Sequence, residues 1–365
     1  MASQQKLRIF VPVRGSWRSR RPRDGAAPPP PAGSRSATTS GMNLDATPSW
    51  LQPHDGLSAT DLQRIGAAVT AARAASTRKV YANLWRQWER WCHARDLDAF
   101  PADPMALCAY LAERAETGTT VQTLTVACSA IGHVHRVRGV PNPADHHAVR
   151  EVRRGLRRTY GVAPVRQARP LTPADLRQIL RHIDRTTPLG ARDSAIILLG
   201  YASALRRSEL VALTLDDVEP KPGGLLHLRS SKTDQDAEGA VVGVAHGNHA
   251  ETDPIEALAA WRRHRGEAPG PLFTRLFYAN VSLRALSGNA IARMLRARAA
   301  DAGLPAERIT AHSLRAGHAT TAFQAGVHLD RIAAQTRHKD LSVLLTRYIR
   351  PLEALTNTTS RDLGL

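Results

Sequence analysis

The sequence predicts a mainly α protein: a helical bundle followed by a larger, mostly helical domain that carries a small antiparallel β-sheet. Three observations predict it. Apolar residues recur three and four positions apart over most of the chain, which is the period of a helix with one buried face. A single stretch, LLHLRSSKTDQDAEGAVVGV, instead alternates around a turn-rich middle, as a short antiparallel sheet does. The segment GVAPVRQARP, with Pro164 and Pro170 and no apolar period, reads as a linker, and 365 residues suffice for a core on each side of it. The expected organisation is a disordered basic tail over 1–48, a helical domain over 49–160, the linker over 161–170 and a second domain over 171–365.

The tail contains RGSWRSRRPRDG, then APPPPAG, then a Ser/Thr run, and so carries too little apolar surface to order itself. Its arginines suit nonspecific contact with DNA, and the near-absence of acids also fits an organelle transit peptide. Translation from Met42 would remove residues 1–41, so their place in the natural protein stays open. Next, Ser76 is expected to cap a helix whose Val80, Leu84, Trp88 and Trp91 face a core, with Tyr81 and Trp85 widening the stripe. A second helix runs through Met105, Leu107, Leu111 and Ala112, and a third from Thr120 through Leu124, Ala127, Ile131 and Val134. The fourth places Val149, Val152 and Leu156 on one side and Arg150, Arg153, Arg154, Arg157 and Arg158 on the other. Solvated faces normally mix signs, whereas only Glu151 offsets these five arginines, so the face reads as a phosphate contact. Beyond the linker, Thr172 followed by Asp175 is a capping-type helix start.

Composition narrows the function. The chain carries 50 Lys and Arg against 32 Asp and Glu, a net charge of +18, and the excess is nearly all arginine. Arginine binds phosphate through a planar two-pronged fork, so a polyanionic partner is implied, although an Ala- and Arg-rich coding bias alone also yields such a balance. Cys92, Cys108 and Cys128 lie in separate apolar stretches without metal-ligand spacing and read as small core residues in a reducing compartment. No apolar run has the length of a membrane span, and the first residues lack the apolar core of a secretory signal, which predicts a soluble cytoplasmic protein. There is also no carboxylate cluster of the kind a metal-dependent nuclease uses.

Four separated pieces carry the chemistry. SALRRSELVAL sets Arg206 and Glu209 three apart at a helix start. Lys232 falls in or beside the turn of the predicted sheet. In AHSLRAGHATTAFQAG, His312 and Arg315 are one helical turn apart and can face one anion. QTRHKDLSVLLTRYIR brings His338 and Tyr348. Singly, each has a plainer reading: a surface arginine, a solvated loop lysine, a helix cap, a half-buried core tyrosine.

Taken together and in this order, the pieces resemble the signature of the tyrosine recombinase and phage integrase family, with Cre-type recombinases the nearest in likeness. Trp88, Trp91 and Cys92, the FPADP segment at 100–104 and the terminal RYIR have counterparts there, and the resemblance spans roughly residues 50–352. It implies the tyrosine recombinase catalytic fold preceded by a helical core-binding (SAM-like) DNA-binding domain, with the DNA of a specific recombination site as partner. By resemblance, Arg206 and Arg315 grip the non-bridging oxygens of the scissile phosphate and His312 hydrogen-bonds beside them. Lys232 protonates the leaving 5′ oxygen, Glu209 orients the site, and Tyr348 is the nucleophile, with His338 completing the set. No metal, ATP or other cofactor is expected, because paired guanidinium groups can stabilise the charge that builds on the phosphate. Four copies are expected to assemble on two duplexes, the leucines of the C-terminal tail docking into a neighbour.

Three positions depart from the family pattern. Arg337 stands where glycine usually precedes the last histidine. His338 lies ten residues before Tyr348 where nine is common, an extra residue that could rotate the histidine away from the phosphate. Arg207 replaces an apolar residue, implying an extra phosphate contact or a salt bridge. For base reading the candidates are Lys79, Arg86, Asn289 and Arg293; Asn289 takes the place of a base-reading arginine and suits adenine, which predicts a different target site. A type IB topoisomerase, a hairpin telomere resolvase or a catalytically silent DNA binder would share parts of this signature.

Overall fold

The computed structural model describes residues 48–52, 55–162, 167–221, 223–229, 239–278 and 280–347. Lys232, Tyr348, the C-terminal tail, nearly all of the basic tail and the middle of the linker lie outside them. The chain divides into two compact units between Val162 and Ala163.

The first unit is built from α1 (Ala59–Ala71), α2 (Ala75–His93), α3 (Pro104–Glu116), α4 (Val121–Val137) and α5 (His147–Tyr160). Leu84, Trp85, Trp88 and Trp91 of α2 pack with Leu107, Tyr110 and Leu111 of α3 and Leu124, Ile131 and Val134 of α4 in one core that also holds the three cysteines. The indole of Trp88 donates to the Ala99 carbonyl at 2.9 Å, tying the FPADP segment to that core. His135 does the same from α4, its Nε2 accepting from the Ala102 amide at 2.9 Å. Three expectations fail locally. Ser76 is not the cap of α2, which starts behind Ala74 with no side-chain cap. Val80 and Met105 are 48% and 62% exposed, because the buried stripes of α2 and α3 start one turn later, at Leu84 and Leu107. Arg153 is half-buried rather than on the open face of α5: it lies one position past Val152, at the edge of the apolar side, whereas Arg150, Arg154, Arg157 and Arg158 are exposed.

The second unit runs α6 (Pro173–Arg181), α7 (Pro188–Ala202), α8 (Arg207–Ala212), β1 (Val218–Lys221), β2 (Gly223–Leu228), β3 (Ala240–Val244), α9 (Pro254–Arg265), β4 (Thr274–Phe277), β5 (Asn280–Ala285), α10 (Gly288–Asp301), α11 (Ala311–Gln324), α12 (Leu329–Thr336) and α13 (Leu341–Arg347). Thr172 and Asp175 form a reciprocal capping box at the start of α6, as their spacing predicts. The apolar run AIILLGYA forms the C-terminal half of α7, which packs against α9 and α11 and is buried on all sides as far as Gly200. Removing each such Ile or Leu from water contributes about 1.5–3 kcal/mol, which makes α7 the axis on which the unit hangs. The sheet is antiparallel with order β1-β2-β3 and pairs Gly224 with Val244 through Leu228 with Ala240. Three strands lie outside what the sequence pattern predicts, β1 and the two of the β4-β5 hairpin, because each is short or two-sided and lacks a clean alternation.

Candidate active site

The site assembles where three helix ends meet within the second unit. Arg206 is the N-cap residue of α8, and the Glu209 carboxylate one turn on reaches back to accept from it, so the two positions read from SALRRSELVAL are locked together. The Arg206 amide donates to Glu209 Oε2 at 2.7 Å while its guanidinium donates to Oε1 at 2.7 Å. Burial alone would push the Glu209 carboxyl up. Arg337 and the Arg206 amide and guanidinium outweigh that and hold it below the usual carboxylate range.

Arg315, on α11, is fully buried, one of the largest side chains to be so. Its guanidinium donates to the Ala204 carbonyl at 2.7 Å and to the Thr336 carbonyl. Arg206 donates to the very next carbonyl, that of Arg337, at 3.4 Å. The two guanidinium groups therefore converge on adjacent peptide oxygens at the end of α12. Both helix ends that supply these carbonyls use left-handed backbone at non-glycine residues, Ala204 with φ +51° and Arg337 with φ +55°. Such strain persists only where the surroundings enforce it.

His338 sits at this junction. Its Nε2 is 3.3 Å from an Arg315 nitrogen and its Nδ1 is 2.7 Å from Thr336 Oγ1. A guanidinium can only donate, so Nε2 accepts and Nδ1 carries the proton, which it gives to the threonine; that hydroxyl in turn donates to the Ile332 carbonyl at 2.6 Å. Burial, with the charges of Arg315, Arg206, His312 and Arg337, lowers the His338 pKa from 6.5 to about 4, so the imidazole is neutral at physiological pH. Despite the long interval before Tyr348, the imidazole is not swung out of the cluster. His312, at the start of α11, is exposed and close enough to act on His338 through its charge. The end of β2 lies near Glu209: Arg229, just past the strand, donates to Asp217 at 2.7 Å, and both line a cavity of about 100 Å³ with Glu209 and His227.

The residue that sequence reasoning left without a role is Arg337. It donates to Glu209 Oε2 at 2.6 Å and to the Gln335 carbonyl at 3.1 Å, and its side chain is only 12% exposed. Its signal was the break in the Gly-His pattern. Two guanidinium groups, those of Arg206 and Arg337, thus share one carboxylate, and with Arg315 the cluster keeps surplus positive charge suited to a single phosphodiester. The described base-reading candidates lie elsewhere. Lys79 and Arg86 are exposed on α2, while Asn289 and Arg293 are exposed one turn apart on α10. Arg207 makes a contact that neither expectation anticipated, donating to Asn289 Oδ1 at 3.3 Å.

Comparison with known proteins places this arrangement. The Phage integrase family matches residues 169–354, more than half of the chain and the whole of the cluster above. The chain belongs to that family. Its relatives include an integrase/recombinase xerD homolog of Selenomonas ruminantium, 31% identical over 284 residues, covering 76% of this chain and 82% of the relative. The recombinase cre of Escherichia phage P1 is 26% identical over 306 residues, covering 78% and 87% respectively. Among solved structures, XerH site-specific recombinase bound to a palindromic difH substrate aligns with a TM-score of 0.58 at 15% identity over 84% of both chains. A lambda integrase (75–356) dimer bound to a COC′ core site aligns at 0.54 and 15% over 80% of this chain and 95% of the other. At that identity the structural likeness speaks to the fold, which is that of the tyrosine recombinase catalytic domain behind a helical bundle. Among the described residues of this phage integrase family chain, no helix is long and apolar enough to cross a membrane.

Proposed function

We propose that this chain is a site-specific DNA recombinase that cuts and rejoins double-stranded DNA through a covalent 3′-phosphotyrosine. The observation that carries the reading is the convergence of Arg206 and Arg315 on adjacent carbonyls beside His338, a preformed anion site in a family member. Attack on a phosphodiester piles negative charge onto its non-bridging oxygens, and fixed guanidinium donors stabilise that charge without reorganising. The two peptide carbonyls hold the guanidinium groups in place until phosphate oxygens, as stronger acceptors, supplement or replace them.

Tyr348 is the nucleophile in this reading. A phenol in water ionises only near pH 10, so the proton must leave during attack, while Lys232 gives one to the departing 5′ oxygen. The phosphorus–oxygen bond to the sugar is exchanged for one to tyrosine, so the energy of the linkage is retained. A 5′ hydroxyl from another strand then reverses the step and restores the phenol. Arg206, Arg315, His312 and neutral His338 hold the phosphate, and Glu209 orients Arg206. The first unit supplies the core-binding contacts, through Lys79, Arg86 and the arginines of α5, and four copies assemble on paired sites.

A nicked suicide substrate tests this, with the target obtained by sequencing genomic DNA trapped on the protein. A covalent complex that forms with the wild type and vanishes in Tyr348→Phe is the expected result. Absence of any covalent product on the selected DNA would leave a silent DNA binder instead. Relaxation of supercoiled DNA lacking the selected site would favour the topoisomerase reading.

A further inference from the structure

Arg337 occupies a backbone position that disfavours it. At φ +55° and ψ +50° glycine is the residue with no steric cost, and the family pattern has glycine there. A side chain retained at such a position is explained by what it contacts. It reaches across 128 residues of sequence to Glu209, the carboxylate that also holds Arg206. Glu209 is 1% exposed at its side chain, so its charge is poorly screened. If Arg206 were its sole cationic partner, pair formation would cancel most of the field that Arg206 offers a phosphate. With Arg337 on Oε2, one negative charge is shared between two positive ones.

Resting on the catalytic reading given above, we infer that Arg337 is a positioning residue. It neutralises Glu209, so that Arg206 stays anchored by the carboxylate and still presents net positive charge to the scissile phosphate. Its carbonyl, which accepts from Arg206, makes the same segment a stop for that guanidinium. Arg337 need not touch DNA to do this.

The test is a double-mutant cycle on single-turnover cleavage of the nicked substrate, with DNA affinity measured in parallel. Arg337→Gly relieves the backbone strain, so the variant is expected to fold, which circular dichroism and its melting temperature verify. Its cleavage rate is expected to fall by about tenfold to a hundredfold with DNA affinity changed by less than about threefold. In a Glu209→Gln background, where no negative charge remains to neutralise, the same substitution should cost little more. Arg337→Lys keeps the charge on Glu209 but loses the fork to Gln335, and should recover part of the rate.

Wild-type cleavage by a folded Arg337→Gly overturns the inference while leaving the recombinase reading intact. Equal, multiplying losses in both backgrounds would make Arg337 a direct phosphate ligand and also overturn it. Should Arg337→Gly fail to fold, the Arg337→Lys pair with and without Glu209→Gln decides by the same comparison. A wild-type chain that forms no Tyr348-dependent complex brings down both readings together.

Discussion

Asn289 illustrates how a neighbour changes what a residue can read. An asparagine recognises adenine by accepting at its oxygen and donating from its nitrogen at once. Here Arg207 donates to the oxygen at 3.3 Å, so one of its two lone pairs is taken and the guanidinium adds donors beside the amide, which tilts the exposed pair towards guanine O6 and N7. Arg207→Ala should therefore move the preference at that base pair towards adenine, by about 1–3 kcal/mol, in a selection from randomised half-sites. An unchanged preference would mean that the pair separates on DNA. His338 allows a second residue-scale prediction, with its sign fixed by a pKa lowered from 6.5 to about 4. Because the folded protein holds this imidazole neutral, cleavage should show no titration attributable to it from about pH 8 down to about pH 5. Stability behaves differently. Between 6.5 and about 4 the unfolded chain takes up a proton that the folded one refuses, so folding weakens as pH falls through that window. Replacing His338 by glutamine should flatten the decline in melting temperature over that range.

At the scale of elements, the position of Arg315 is set by how closely α11 approaches the strand-like segment at Leu171. The Leu171 amide donates to the Ser313 carbonyl at 3.2 Å, and a Cβ on Gly317 would stand 2.0 Å from the Leu171 carbonyl oxygen. Only glycine permits that contact. Gly317→Ala should lower stability by about 2–4 kcal/mol and reduce cleavage beyond what unfolding explains, since α11 must shift away and carry Arg315 with it. Thermal melts alongside cleavage at low temperature separate the two effects. The helices themselves were legible because their periodicity and caps are local: Thr172 with Asp175 closes the box that their spacing announces. What local pattern could not disclose was determined by packing. The buried face of α2 begins at Leu84 instead of Val80, and Arg153 is half-buried, because neighbouring helices decide where a stripe becomes core.

For the whole molecule, the members of the site were readable from sequence and their connections were not. Arg206, Glu209, His312, Arg315 and His338 come from three separate stretches, and nothing in their spacing reveals that Arg315 and Arg206 end on the carbonyls of Thr336 and Arg337, nor that Arg337 completes the cluster. Those are long-range facts of the fold. Net charge acts at this scale as well. A chain of +18 will hold any DNA by releasing counterions, so affinity alone cannot report recognition. The exposed side of α5 makes this measurable. Arg154, Arg157 and Arg158 face solvent there, while Arg153 is half-buried near Cys128. Each phosphate contact contributes about 0.9 to the slope of log affinity against log salt concentration. Replacing Arg154, Arg157 and Arg158 by glutamine should reduce that slope by about 2 to 3 on any duplex, without altering the preference for the selected site over random DNA. Measuring both quantities on both DNAs, from about 50 to 200 mM salt, gives a clear reading. An unchanged slope would remove α5 from the DNA interface and reduce its arginines to a solvated face, whereas a lost preference would make them readers of sequence or shape.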